Sequence, residues 1–350
     1  IELAGIAVHD LAAAPDFLDS DLFSTDAVAL MQQVKPDIVV ELIGGIEPAR
    51  EFIMAAINGG ASVVTANKAV IARYGEEIAA AAAAHGVYVL IEAAVGGGIP
   101  IIEPLKQSLG ANRIQRVSGI INGTTNYILS RMAAEGAAYA DVLADAQRLG
   151  YAEADPAADV QGGDAADKIA ILAGLAYGGG VPRAAIPTEG IDRLDARDVA
   201  YAAQLGYVVK LLAVAQAMPG SQAEQLLDVR VHPTLLPKAH PLAGVNGVNN
   251  AILVEGDPVG QVMFYGPGAG AGPTASAVVA DILNIAGIRQ VTGNGTNAPL
   301  DPLLAAGSWR PCRLVDSAVT SHRNYVRLRT SDRAGVIGAI GTCFGEAGVS

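Results

Sequence analysis

The sequence predicts an α/β protein with two main lobes: a parallel sheet covered by helices on both faces, then an α+β domain with a mainly antiparallel sheet. Three observations lead there. Short Val/Ile-rich segments alternate with helical ones over the first hundred residues, the pattern of a parallel sheet buried on both sides. Beyond about Pro100 helices gather ahead of β-rich sequence, as in an α+β domain. Finally, 350 residues of which 51% are hydrophobic can fill more than one core.

In order, the first lobe reads as a strand at 3–8, a helix at 25–34, an apolar strand within 37–43, a helix at 48–58, a strand at 62–65, a long helix to His85 and a strand at 87–91. This is the pattern of a Rossmann-like, doubly wound nucleotide-binding domain. Ligands of such sheets lie at the carboxyl ends of the strands. That directs attention to Gly44-Gly45, to Thr65-Ala66-Asn67-Lys68 and to the stretch from Glu92 to Gly98. No Gly-x-Gly-x-x-Gly follows a strand near the start, although that loop usually holds a pyrophosphate. Either the domain binds no dinucleotide, or the chain opens on the second strand and lacks the first strand and its glycine loop; the abrupt opening on Ile1 favours the second.

The second lobe reads as helices at 101–109, 125–134, 139–149, 164–176 and 196–216, then strands at 226–231, 251–255 and 261–265. The run Gly266-Pro-Gly-Ala-Gly-Ala-Gly272 leads into a helix at 274–286. Its Gly268 region either approaches a phosphate at the helix start or serves as a flexible connection. The expected domains are 1–98, with 270–290 returning to it, then 99–310, and a third beginning at 320–350.

Bulk properties exclude several functions. A net charge of −12 disfavours nucleic acid, which needs clustered Lys and Arg. No run approaches the length needed to cross a bilayer, and no signal peptide is visible. Two scattered cysteines, Cys312 and Cys343, fit a reducing cytoplasm. His9, His85, His232, His240 and His322 show no metal-ligand spacing. Asn122-Gly123-Thr124 and Asn294-Gly295-Thr296 match the glycosylation pattern but read as turn chemistry.

The most informative stretch is GYAEADPAADVQGGDAADK, 150–168. It sets five acids (Glu153, Asp155, Asp159, Asp164, Asp167) around a glycine pair, and then opens a helix with Asp164 and Lys168 four apart. At about 100° per residue both share a face with Ile171, Leu172 and Leu175, while Ala166, Ala170 and Tyr177 fall elsewhere. A lysine and an aspartate therefore point toward the apolar side, where a lysine is a candidate for proton transfer. The alternative is a surface ion pair, with Asp164 an ordinary helix-start residue.

TANKAVIA (65–72), EAAVGGGIPII (92–102), SGIINGTTNYIL (118–129), GYAEADPAADVQGGDAADKIAILA (150–173) and GPGAGAGPTASAVVADI (266–282), in this order, closely resemble the homoserine dehydrogenases, from Ile1 to about Arg310. The resemblance implies NAD- or NADP-dependent interconversion of L-homoserine and L-aspartate 4-semialdehyde, a step toward threonine, methionine and isoleucine. It implies Lys168 as the catalytic lysine and Lys68 at the cofactor and reacting groups, with Gly45, Thr65 and Gly268 along the cofactor. Glu153 and Asp164, supported by Asp159, match substrate-holding residues. Glu92 and the carbonyls of Val95, Gly97 and Ile99 match a monovalent cation site, usually sodium. A homodimer is expected from the family as well.

The residue types suit that chemistry. Oxidising an alcohol needs a base for the hydroxyl proton while hydride leaves the same carbon, which a lysine with a lowered pKa provides. Carboxylates neutralise the substrate ammonium in a closed site. His9-Asp10, at the end of the presumed second strand, points both ways on NAD against NADP. The segment 324–337 resembles the opening strand and helix of an ACT regulatory domain, which makes threonine an expected effector of the intact protein. The other reading is a non-enzymatic amino-acid sensor with a degenerate nucleotide domain.

Overall fold

The computed structural model describes residues 1–13, 15–219, 225–292 and 312–349. These divide into two units, Ile1–Ser317 and Ala318–Ser350. The first opens with a parallel pair, β1 (Ile6–Ala7) and β2 (Phe23–Ser24). Helix α1 (Ala27–Val34) follows, started by the Asp26 side chain, which accepts from Ala29 N, and stopped by Lys35 at φ 46°. Then β3 (Ile38–Glu41), α2 (Ala49–Asn58), β4 (Ser62–Thr65), α3 (Lys68–His85) and β5 (Val89–Leu90) build a parallel sheet of order β3-β4-β5. Ile53 and Ile57 of α2 and Val70 and Ile78 of α3 share one core cluster with Val63 of β4.

The second lobe contains α4 (Ile102–Lys106), β6 (Arg113–Ile120), α5 (Gly123–Glu135), α6 (Tyr139–Arg148), α7 (Ala157–Val160), α8 (Gly163–Tyr177), α9 (Ala196–Gln204), β7 (Tyr207–Met218), β8 (Gln225–Pro237), β9 (Asn249–Asp257), β10 (Gly260–Pro267), α10 (Ala271–Thr292) and β11 (Cys312–Leu314). Its six-stranded sheet has the order β10-β9-β6-β7-β8-β11, antiparallel except for β11 beside β8. Alternation along β7 sends Leu211, Ala213 and Ala215 to the helix-covered side and Leu212 and Val214 to the other, closed by Leu242, Ala243 and Val245.

Several expectations need correction. The expected helix 196–216 is a helix to Gln204 and then a strand, because Gly206 at φ 84° ends the first and the Val-Val-rich sequence after it suits a pleated core. Strand β6, central to the second sheet, was not foreseen at all. The first turns after 101 give only the short α4. The tail residues 324–331 form no strand; the unit Ala318–Ser350 carries α11 (Val336–Glu346). Helix α10 is longer than expected. Contrary to the expectation from run length, its stretch Ala271–Val291 is long and apolar enough by composition to cross a membrane. Ala277, Val278 and Ile285 of that helix pack on Val64, Tyr88 and Leu90 of the first sheet. The 294–296 pattern lies outside the described residues.

One buried cation fastens α5 to the sheet. Lys210 on β7 is 2% exposed and donates to Asn126 Oδ1 at 3.0 Å, Asn246 Oδ1 at 3.1 Å and Val245 O. All three acceptors are neutral, and burial lowers its pKa to about 8. Between that value and the lysine value of an unfolded chain, the unfolded state binds more protons, so this group's contribution to stability rises with pH through that window. Denaturant titrations from pH 7 to 10.5 are expected to show wild type gaining on Lys210→Met by at most about 3 kcal/mol. A pH-independent difference refutes this.

Candidate functional site

Helix α8 enters the molecule from a left-handed Gly162 (φ 84°), where a Cβ would press on Thr188 and Val231. From Asp164 to Gly174 it is buried on every side. The face separation expected for Ala166 and Ala170 therefore has no meaning, since both are as enclosed as the rest. Asp164 and Lys168, 6% and 9% exposed, form the expected i,i+4 pair, but inside the protein rather than on its surface.

Asp164 joins two lysines from different parts of the chain. Its Oδ2 takes Lys168 Nζ at 2.7 Å and its Oδ1 takes Lys68 Nζ at 2.9 Å. Lys168 Nζ also donates to Ile121 O at 2.9 Å. Asn122 Nδ2 donates to Asp164 Oδ2 at 2.9 Å and to Asp159 Oδ1 at 2.7 Å, while Asn122 Oδ1 starts α5 by accepting from Thr125 N. Burial alone would raise the Asp164 carboxyl, but Lys168, Lys68 and Asn122 hold it well below the usual carboxylate range. Burial pulls the Lys68 ammonium down, and Asp164, backed by Asp159 and Asp167, more than offsets this, leaving it above an ordinary lysine. Asp159 is raised, by burial first and with the Asn122 bond opposing.

Lys68 is placed by the turn before it. Asn67 accepts from Val70 N to start α3 and donates to Gly45 O at 2.8 Å. Thr65, fully buried, donates its hydroxyl to Glu41 Oε2 at 2.6 Å, and Glu41 Oε1 accepts from Ile43 N at 2.8 Å. Thr65 thus organises the turn, its Oγ1 also accepting from Asn67 N at 2.9 Å. Gly44 and Gly45, at φ 73° and 71°, have nothing within 4 Å of where a Cβ would stand. On the far side of α8, Asp167 takes Arg73 Nη1 of α3 at 3.2 Å and Arg183 Nε, which ties α3 to α8. Glu153 is exposed in the segment between α6 and α7.

Around the loop after β5, Glu92 is 7% exposed and its carboxylate accepts from Ile101 N, Ile102 N and Glu103 N at 2.6, 2.8 and 2.9 Å. It caps the start of α4. Burial raises its pKa, the three N–H groups opposing. Asp281 of α10, pushed up to about 7 by burial, accepts from Glu92 N. Val95, Gly97 and Ile99 are buried, and among the described residues no N–H donates to their carbonyls. Gly97 lies so close to Gly268 that a Cβ there would stand 2.6 Å from the Gly268 carbonyl.

Sequence reasoning missed Glu41, Asn122 and Asp281. Asn122 alone carried a signal, as an Asn before a Gly-Thr-Thr helix start. The others are marked only by burial.

Residues 100–283 match the family profile described as homoserine dehydrogenase, and residues 1–92 match that of its NAD-binding domain. Among curated relatives, the homoserine dehydrogenase of Synechocystis sp. is 57% identical, over 100% of this chain and 80% of that protein. That of Corynebacterium glutamicum is 45% identical, over 100% and 77%. The crystal structure of a homoserine dehydrogenase from Thiobacillus denitrificans superposes with a TM-score of 0.88 at 44% identity, covering 98% of this chain and 78% of that one. A hyperthermophilic archaeal homoserine dehydrogenase in complex with NADPH gives 0.63 at 32% identity, covering 75% of each. Two adjoining family profiles, relatives alike over the whole of this chain and a matching overall fold establish that this chain belongs to the homoserine dehydrogenase family.

Proposed function

We propose that the chain interconverts L-homoserine and L-aspartate 4-semialdehyde with NAD or NADP, and that Lys168 carries the proton. The observation that supports this most is the buried carboxylate of Asp164, held between Lys68 and Lys168. Lys68 keeps its proton, so Asp164 and Lys68 together are already neutral.

When bound, the nicotinamide supplies the hydride acceptor. In oxidation Lys168 Nζ takes the proton of the homoserine hydroxyl, and in reduction it returns one to the oxygen of the aldehyde carbon. The Lys68 ammonium lies within reach of the same carboxylate and stabilises negative charge developing on that oxygen. Asp164 already receives both lysines and Asn122, which leaves Asp159 and Glu153 for the substrate ammonium. We read 1–98 with α10 as the cofactor lobe and 99–310 as the substrate lobe. The bare backbone of Gly44-Gly45 and the Gly268 turn offer the cofactor close approach. Among the described residues the tail forms no strand, so nothing favours the sensor reading.

The residues present also fit a monovalent cation. The carbonyls of Val95, Gly97 and Ile99, which among the described residues take no backbone N–H, are oxygen ligands of the kind hard cations take. Glu92 would frame that loop through its hold on α4. An ion there would fix the loop against Gly268.

Following nicotinamide absorbance with homoserine and each dinucleotide tests the activity. Glu153→Ala is expected to raise KM for homoserine at least tenfold with kcat little changed, the loss of one charged hydrogen bond. An unchanged KM would remove Glu153 from the substrate site.

A further inference from the structure

Asn250 stands near the start of β9 with a buried side-chain oxygen that has no hydrogen-bond partner. The residue is 1% exposed, and its Oδ1 accepts no hydrogen bond. Native interiors rarely leave such a group unpaired, because it costs about 1–3 kcal/mol. Its position is informative. Ile252 and Val254 face the helix-covered core and Ala251 and Leu253 the opposite one, so the period of two puts Asn250 on the α8 side. Ile120 pairs with Ala251, which sets Asn250 beside Ile121, whose carbonyl holds Lys168 Nζ. On its other side is Gly268, where a Cβ would fall 1.9 Å from Asn250 Nδ2 and 2.1 Å from Cγ. Asn250 thus fills the seam between the anchor of Lys168 and the turn that leads into α10.

We propose that Asn250 is a positioning residue for the cofactor, its Oδ1 accepting a hydrogen bond from the carboxamide of the nicotinamide ring. This rests on the dehydrogenase reading above. For hydride to pass at the carbon whose oxygen meets Lys168, the ring lies next to Lys168, and Ile121, Asn250 and Gly268 border that place. The ring's carboxamide offers both an N–H donor and an acceptor, matching the two ends of the Asn250 amide. Reaching Oδ1 requires the backbone at Gly268 to shift, which the glycines at 266, 268 and 270 permit. A side chain at 268 would collide with Asn250, so the contact and the glycine belong together.

The test compares the natural dinucleotide with its 3-acetylpyridine analogue, which has a methyl group in place of the amide nitrogen, by calorimetric titration of the full chain. Wild type is expected to bind the analogue about tenfold more weakly. Asn250→Leu keeps the bulk and lacks the acceptor; it is expected to bind the natural cofactor about tenfold more weakly than wild type and to lose the preference, as a double-mutant cycle requires. Its thermal midpoint without cofactor is expected to equal or exceed that of wild type, since a buried unpaired amide is gone. Equal affinity of wild type for both dinucleotides overturns the proposal without needing any variant. A preference that survives in Asn250→Leu does so as well, and lowered stability with unchanged affinity makes Asn250 a packing residue only. Wild type that binds neither dinucleotide and turns over no homoserine would instead sink the enzymatic reading itself.

Discussion

Lys168→Ala is expected to lower kcat for homoserine oxidation by about 10³-fold, with dinucleotide affinity within twofold of wild type. The magnitude is that of a positioned acid/base group. Removing the amine leaves Asp164 paired with Lys68 at 2.9 Å and held by Asn122 at 2.9 Å, so the site keeps an ion pair and loses only its proton carrier. The fold should tolerate the change, because what is lost besides the pair is one bond to Ile121 O. The measurement is kcat in both directions together with a thermal midpoint. A variant that turns over at a rate comparable to wild type means the proton travels by another route and Lys168 only braces Asp164.

Asp164→Ala is expected to do damage of a second kind, in stability as well as rate. Removing one partner of a buried charge pair typically costs about 3–5 kcal/mol, since the charge left behind has nowhere to discharge. Here Lys68 and Lys168 would face one another without the carboxylate that now separates them. The native carboxyl lies below its unfolded value, so its contribution is complete above about pH 4 and lost only in stronger acid. Asp164→Ala should therefore be less stable throughout the neutral range, with the gap closing as pH falls through the acid region. Loss of the counter-charge also removes what holds Lys68 above an ordinary lysine, and kcat/KM is expected to drop at least 10²-fold. Denaturant titration at pH 7 and pH 3 decides it. A stability difference that stays the same at both would show that Asp164 acts through packing.

Much of this was legible from residues alone. The spacing of Asp164 and Lys168 declared their pairing because an α-helix leaves no choice for i and i+4. Strands at the carboxyl ends of which Gly44-Gly45 and Lys68 stand were readable from period and composition. What stayed hidden depends on tertiary contact. Strand β6 carries Arg and Gln at alternate positions on one half, so its run does not look apolar enough to be central. The division of 196–216 into α9 and β7 depends on one glycine whose left-handed geometry sequence does not display. Glu41, Asp281 and Asn250 are ordinary polar residues until burial shows what each touches. Glu92 illustrates the converse: its place in a family motif suggested an ion ligand, while its geometry gives it a helix to cap first.

The carboxylate shared by Lys68 and Lys168 has a consequence for how the protein comes of age. The two lysines are drawn from segments distant in sequence, each of which can acquire its own helix early from local contacts. Their meeting closes a long loop, a late and entropically demanding event. On the roles proposed for these two lysines, catalytic competence would await the docking of the segments that carry them.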